Sequence, residues 1–135
     1  MTWLDDRTAQ STKRKQEERL ILDRAEGIFN NLWQEIVRIV EEAKSKGFPL
    51  VTNGSPDQRA IMLKGERLPI TLERDAEMIT ANAPGFTVQL SFAVDKNDVV
   101  HLKYGKGALS LKEAAQLILG PFLFPDLKSE SHDEF

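Results

Sequence analysis

Two hydrophobic rhythms divide the chain. From Leu22 to Gly47, apolar side chains recur every three or four residues, at Leu22, Ala25, Phe29, Leu32, Ile36, Ile39 and Ala43. This spacing predicts an amphipathic helix over about Leu20 to Lys46. On a helical wheel Ile21, Ile28, Leu32, Ile36, Ile39 and Ala43 centre the face, and Leu22, Phe29, Trp33, Val37 and Val40 widen it to about half the circumference. Lys44 and Lys46 suit the last turn, Gly47 suits the left-handed cap, and Pro49 blocks continuation. Upstream, Thr8 to Arg19 holds good helix formers without an apolar stripe, so the helix starts either near Leu20 or as early as "TWLD" at Thr2–Asp5.

Beyond Phe48 the period becomes two. Phe86, Val88, Leu90, Phe92 and Val94 alternate with Thr87, Gln89, Ser91 and Ala93. Leu68, Ile70 and Leu72 behave alike, as do Val100, Leu102 and Tyr104. Strands are predicted near Arg59–Leu63, Arg67–Glu73, Glu77–Ala81, Phe86–Val94 and Val99–Tyr104, with turns at "TNGSPD", "KGE", "NAPG" and "DKND". Short connections favour an antiparallel meander with one apolar face. A capping box, "SLKE" at Ser110–Glu113, opens a second helix that Gly120 and Pro121 are expected to end, with "FLFP" as an apolar tail. The expected fold is α+β: a long N-terminal helix on one face of a roughly five-stranded meander, then a short C-terminal helix. That order is similar in outline to cystatin-like folds, a likeness of element order that implies nothing about function. Residues 1–19 are expected to form a polar helical extension or arm, 20–125 a single domain, and 126–135 a disordered acidic tail.

The helix is long for such a sheet. Leu20–Lys46 would measure roughly 40 Å, against a five-stranded sheet roughly 20 Å across. The excess apolar surface at Ile21, Leu22, Ile28, Phe29, Trp33 and Val37 is therefore expected to meet the terminal helix or another protein, a second copy of the chain included.

Composition narrows the chemistry. The 135 residues lack cysteine, which removes disulfides, thiol nucleophiles and thiolate metal sites. The first fifty residues carry nine basic and nine acidic side chains, so no basic domain marks a nucleic-acid binder, although "KRK" at Lys13–Lys15 is a local cluster. No run approaches a membrane span, and the N-terminus has acids where a secretory signal has bases, so a cytoplasmic protein is expected. No cofactor or metal ligand set is recognisable. His101 stands beside Lys103 on the polar side of a strand, near the uncharged row Thr87, Gln89 and Ser91, an arrangement suited to a small ligand. An acid–base role for His101 would need a carboxylate such as Glu73 or Asp98. Lys106 and Gly107, ahead of the second helix, are candidates for holding an anion. With no nucleophile motif present, the expected function is a non-catalytic interaction or assembly module, self-associating through the long helix. The alternative is a small-ligand binding protein using the sheet face.

Overall fold

The first helix, α1, runs unbroken over Trp3–Ser45. Thr2 starts it: its hydroxyl accepts the Asp5 N–H and the Asp5 carboxylate accepts the Thr2 N–H. Asp5 and Asp6 also place negative charge at the positive end of the helix dipole. The earlier of the two expected starts is therefore the real one. A computed structural model describes residues 2–54 and 58–125; the expected tail at 126–135 and part of the "TNGSPD" turn lie outside them.

Ile21, Ala25, Phe29, Leu32, Ile36, Val40 and Ala43 are buried, a spacing of four, four and three that keeps one line along the helix facing inward. Ile28, Trp33 and Ile39 flank this line, half-buried. They pack on a seven-stranded antiparallel sheet whose strands are neighbours in chain order: β1 (Leu50–Gly54), β2 (Gln58–Leu63), β3 (Glu66–Glu73), β4 (Met78–Ala83), β5 (Phe86–Val94), β6 (Val100–Tyr104) and β7 (Gly107–Leu109). The inner face carries Ile61, Leu68, Ile70, Leu72, Ile79, Val88, Leu90, Phe92 and Leu102, all buried in one core with the α1 stripe.

The sheet has two strands more than expected, one at each edge. β1 holds Asn53 and Gly54, which read as turn residues. Gly54 also packs closely: a Cβ there would lie a tight 3.3 Å from Arg59 Cγ, and at ordinary contact distance, 3.7 Å, from Trp33 Cζ2, so the missing side chain eases the approach of the strand to the Arg59 stem. At the other edge, β7 pairs with β6 through Tyr104↔Gly107, and Gly105 takes the turn at φ +61°.

The second helix, α2 (Leu111–Leu123), begins at the expected capping box of Ser110 and Glu113. It does not stop at Gly120 and Pro121. Proline forfeits one backbone hydrogen bond, yet Leu119, Pro121 and Phe122 are buried, and the Phe124 N–H closes the last turn on the Gly120 carbonyl at 2.8 Å. α2 packs against α1, β5 and β7, in the same core as the inner sheet face.

These two corrections change what covers α1. Seven strands span roughly 29 Å rather than 20 Å, and α2 shelters more of the stripe. Ile21 and Phe29 are sealed within one protomer, at 2% and 1% exposure, and so offer no surface to a partner. Leu32, fully buried at the middle of the stripe, reports on this packing. Leu32→Ala is expected to cost about 2–5 kcal/mol, whereas Leu4→Ala, at an exposed site, is expected to change stability by less than about 0.5 kcal/mol. Urea denaturation of the two variants against the parent chain measures both.

Candidate functional site

Among the described residues no element covers the outer face of the sheet, because both helices lie on the inner one. Thr87, Gln89 and Ser91 are exposed on β5, with His101 and Lys103 half-buried on β6. The strand register sets these residues in rows. Thr71, Thr80 and Gln89 form one row across β3, β4 and β5. Glu73, Met78, Ser91 and Lys103 form the next, across β3 to β6, with Ala108 following on β7. Ala93 and His101 form a third. The centre is uncharged, and an acid and a base stand at opposite ends of one row. Thr80, buried on this face, donates its hydroxyl to Glu73 at 2.7 Å. Thr87 donates to Asn82 Oδ1 at 2.9 Å. The five residues expected to bind a small ligand thus share one face of the sheet.

The carboxylate that reaches His101 is neither Glu73 nor Asp98 but Asp95, in the β5–β6 turn. Its Oδ2 lies 2.7 Å from His101 Nε2, which assigns the ring proton to that nitrogen when the carboxylate accepts. The other oxygen, Oδ1, accepts the N–H groups of Asn97 at 2.8 Å and Val99 at 3.0 Å. Asp95 is therefore a staple: one carboxylate closes the turn and ties it to the adjacent strand. The hydrogen bond from His101 is the chief cause that holds the Asp95 carboxyl below its ordinary range, and the Val99 and Asn97 N–H groups add to it. The sequence "DKND" marked a turn, and an aspartate accepting from the N–H two residues on is the known habit of such turns.

The residues expected to form an interface divide. Ile21 and Phe29 are core, as described above. Trp33 and Phe29 lie against the Arg59 guanidinium, with ring centroids 5.6 Å and 4.8 Å from Arg59 Cζ, and Arg59 also donates to Asn30 Oδ1 at 2.6 Å. Trp33 is thus engaged within its own chain. Ile28 and Val37 are half-buried, and Leu22 alone of the six is strongly exposed, at 57%. It faces the β3–β4 turn, where Arg14 Nη2 donates to both oxygens of Glu77 at 2.9 Å. Arg14–Glu77 and the looser Arg74–Glu26 pair, at 3.9 Å, hold α1 alongside that turn.

Beyond Arg14 the helix continues outward as a spur, residues 3–12, in which every residue is exposed. Trp3 is 71% and Leu4 64% exposed, the two highest values among the large apolar side chains of the described residues. Arg7 lies over the Trp3 ring at 5.8 Å. One apolar dipeptide ahead of a polar stretch sets up no periodic stripe, so periodicity does not mark this pair.

Lys106 sits in the β6–β7 turn and Gly107 in β7, both exposed. The N-terminus of α2 is already served: Ser110 Oγ accepts the Glu113 N–H, and the Glu113 carboxylate accepts the Ser110 N–H. The Glu113 carboxylate thus takes the Ser110 N–H, one of the donors at this helix start. A cavity of about 430 Å³ opens elsewhere, between Phe48, Leu63, Phe122 and Pro125, with Lys46, Lys64 and Glu66 at its edge. Among the described residues no three His, Asp or Glu side chains gather as metal ligands, and no helix is long and apolar enough to cross a membrane.

The Asp95 staple predicts a signed pH dependence. A carboxyl held low in the folded state adds stability above its unfolded titration range, and the contribution disappears as pH falls through the lowered folded value. Asp95→Asn is therefore expected to be less stable than the parent near neutral pH. The gap is expected to narrow below the ordinary carboxylate range and to close in stronger acid. Denaturant midpoints for both chains across that range give the comparison.

The chain matches no protein-family model, no curated protein and no solved structure.

Proposed function

We propose that the protein is a non-catalytic interaction module that offers the spur of α1 to a protein partner. The carrying observation is the exposure of Trp3 and Leu4 at the end of a helix that has left its own core behind. Leaving a tryptophan in water forgoes a large burial energy, and tryptophan is the side chain most enriched where partners bind tightly. The capping box at Thr2 and Asp5 keeps the spur helical up to these residues, so that both stand on a preformed scaffold. The long helix remains the surface put forward for association, but its working part is the first three turns rather than the stripe at Ile21 to Val37.

Catalysis by His101 has less support, because its carboxylate is spent on closing a turn. Small-ligand binding by Thr87, Gln89, Ser91, His101 and Lys103 also has less support, since Thr87, Gln89 and Ser91 are exposed and the cavity described above opens elsewhere.

Site-specific photo-crosslinking tests the spur. A photoreactive phenylalanine analogue at position 3 or 7 is expected to give discrete protein adducts in extracts of the source cells, lost on competition with the unlabelled chain and retained at lower yield with Leu4→Ala. The same probe at position 38, on the side of α1 away from the stripe, is expected to give none. Adducts absent at both 3 and 7, or equal at 38, would contradict the proposal.

A further inference from the structure

We infer that the open sheet face is a self-association surface whose occupant is a second copy of this chain, packed face to face about a twofold axis parallel to the strands. The charges on the face select both the partner and the axis. In the row Glu73–Met78–Ser91–Lys103, one acid and one base lie three strands apart, with nothing charged between them. At about 4.8 Å per strand they are roughly 14 Å from one another, too far to pair within a protomer. Lys103 has no carboxylate partner among the described residues, and Glu73 accepts only from Thr80 there.

An axis midway between β4 and β5, running along the strands, exchanges β3 with β6 and β4 with β5. It sets Glu73 against Lys103 of the partner subunit, and the same contact recurs by symmetry. Between these two ion pairs Met78 meets Ser91 of the partner subunit, and in the adjacent row Thr80 meets Gln89 of the partner subunit. An axis along the row instead would stack Glu73 on its own copy and Lys103 on its own copy, which like charges oppose. Sheets packed face to face stand about 10 Å apart, a gap that glutamate and lysine side chains bridge. The axis overlays six strands, β2 to β7, a patch roughly 24 Å by 20–25 Å, which is about two-thirds of the ~800 Å² each partner contributes to a standard interface. This inference is independent of the spur: the sheet face joins two copies, and the spur remains free in each.

The test is the oligomeric state of the full chain, by sedimentation velocity over a concentration series. The parent chain is expected to dimerise. Glu73→Lys and Lys103→Glu are each expected to raise the dimer Kd roughly tenfold or more, and the double exchange E73K/K103E is expected to recover most of that loss. Rescue distinguishes the contact from damage to the fold, because the two residues do not touch within a protomer. Ser91→Arg, at an exposed position in the middle of the row, is expected to abolish the dimer while leaving the circular dichroism spectrum unchanged. A parent chain that stays monomeric, single charge reversals without effect, or a double exchange no better than the singles would overturn the inference. So would a dimer lost on Trp3→Ala and kept with Ser91→Arg, which would move self-association to the spur.

Discussion

The structure depends on burying one line of side chains, Ile21 through Ala43, between a sheet and a second helix. Neither layer is self-sufficient. The helix has a stripe too broad to leave in water, and the sheet has one apolar face that needs a cover. The inner side follows from their union: Gly54 lets β1 lie close on the Arg59 stem, and α2 runs on through Pro121 so that Phe122 can be buried. Once the stripe is satisfied inside one protomer, it no longer drives association. Surfaces for partners must then be sought where the core is not, on the spur and on the outer face of the sheet.

Those two surfaces differ in physical character. The spur is narrow, helical and apolar at its tip, suited to inserting into a groove. The sheet face is broad, nearly uncharged at its centre, and carries an acid, Glu73, and a base, Lys103, at the two sides of one row. A chain carrying both can pair with itself through the second and present two copies of the first. Bivalent presentation raises apparent affinity for a partner that is itself repeated or clustered.

Much of the fold was legible from periodicity. The long alternation of β5 and its neighbours, the α1 stripe and the Ser110–Glu113 capping box each state their structure in several residues at once. The edge strands were not legible. β1 is short and contains Asn53 and Gly54, and β7 is three residues long and begins with glycine, so turn chemistry outweighed strand pattern in both. Missing them made the sheet too narrow, and the narrow sheet in turn made Ile21 and Phe29 look uncovered. The face shared by Thr87, Gln89, Ser91, His101 and Lys103 was readable because alternation alone assigns it. The register that brings Glu73, Met78 and Thr80 into the same rows, and the Asp95 carboxylate onto His101, requires knowing how the strands pair. Trp3 and Leu4 were hidden for a different reason: exposure is a property of the folded chain, and one dipeptide carries no period.

Amide hydrogen exchange along α1 tests most directly whether the stripe is sealed within a single protomer. Amides from residue 21 to 43 should open only with global unfolding, and those from 3 to 12 should exchange orders of magnitude faster by fraying, with the change near Arg14. The same profile should hold in a monomeric variant such as S91R. Equal protection along the whole helix, or loss of the slow amides at 21–43 in the monomer, would mean that another chain completes the core.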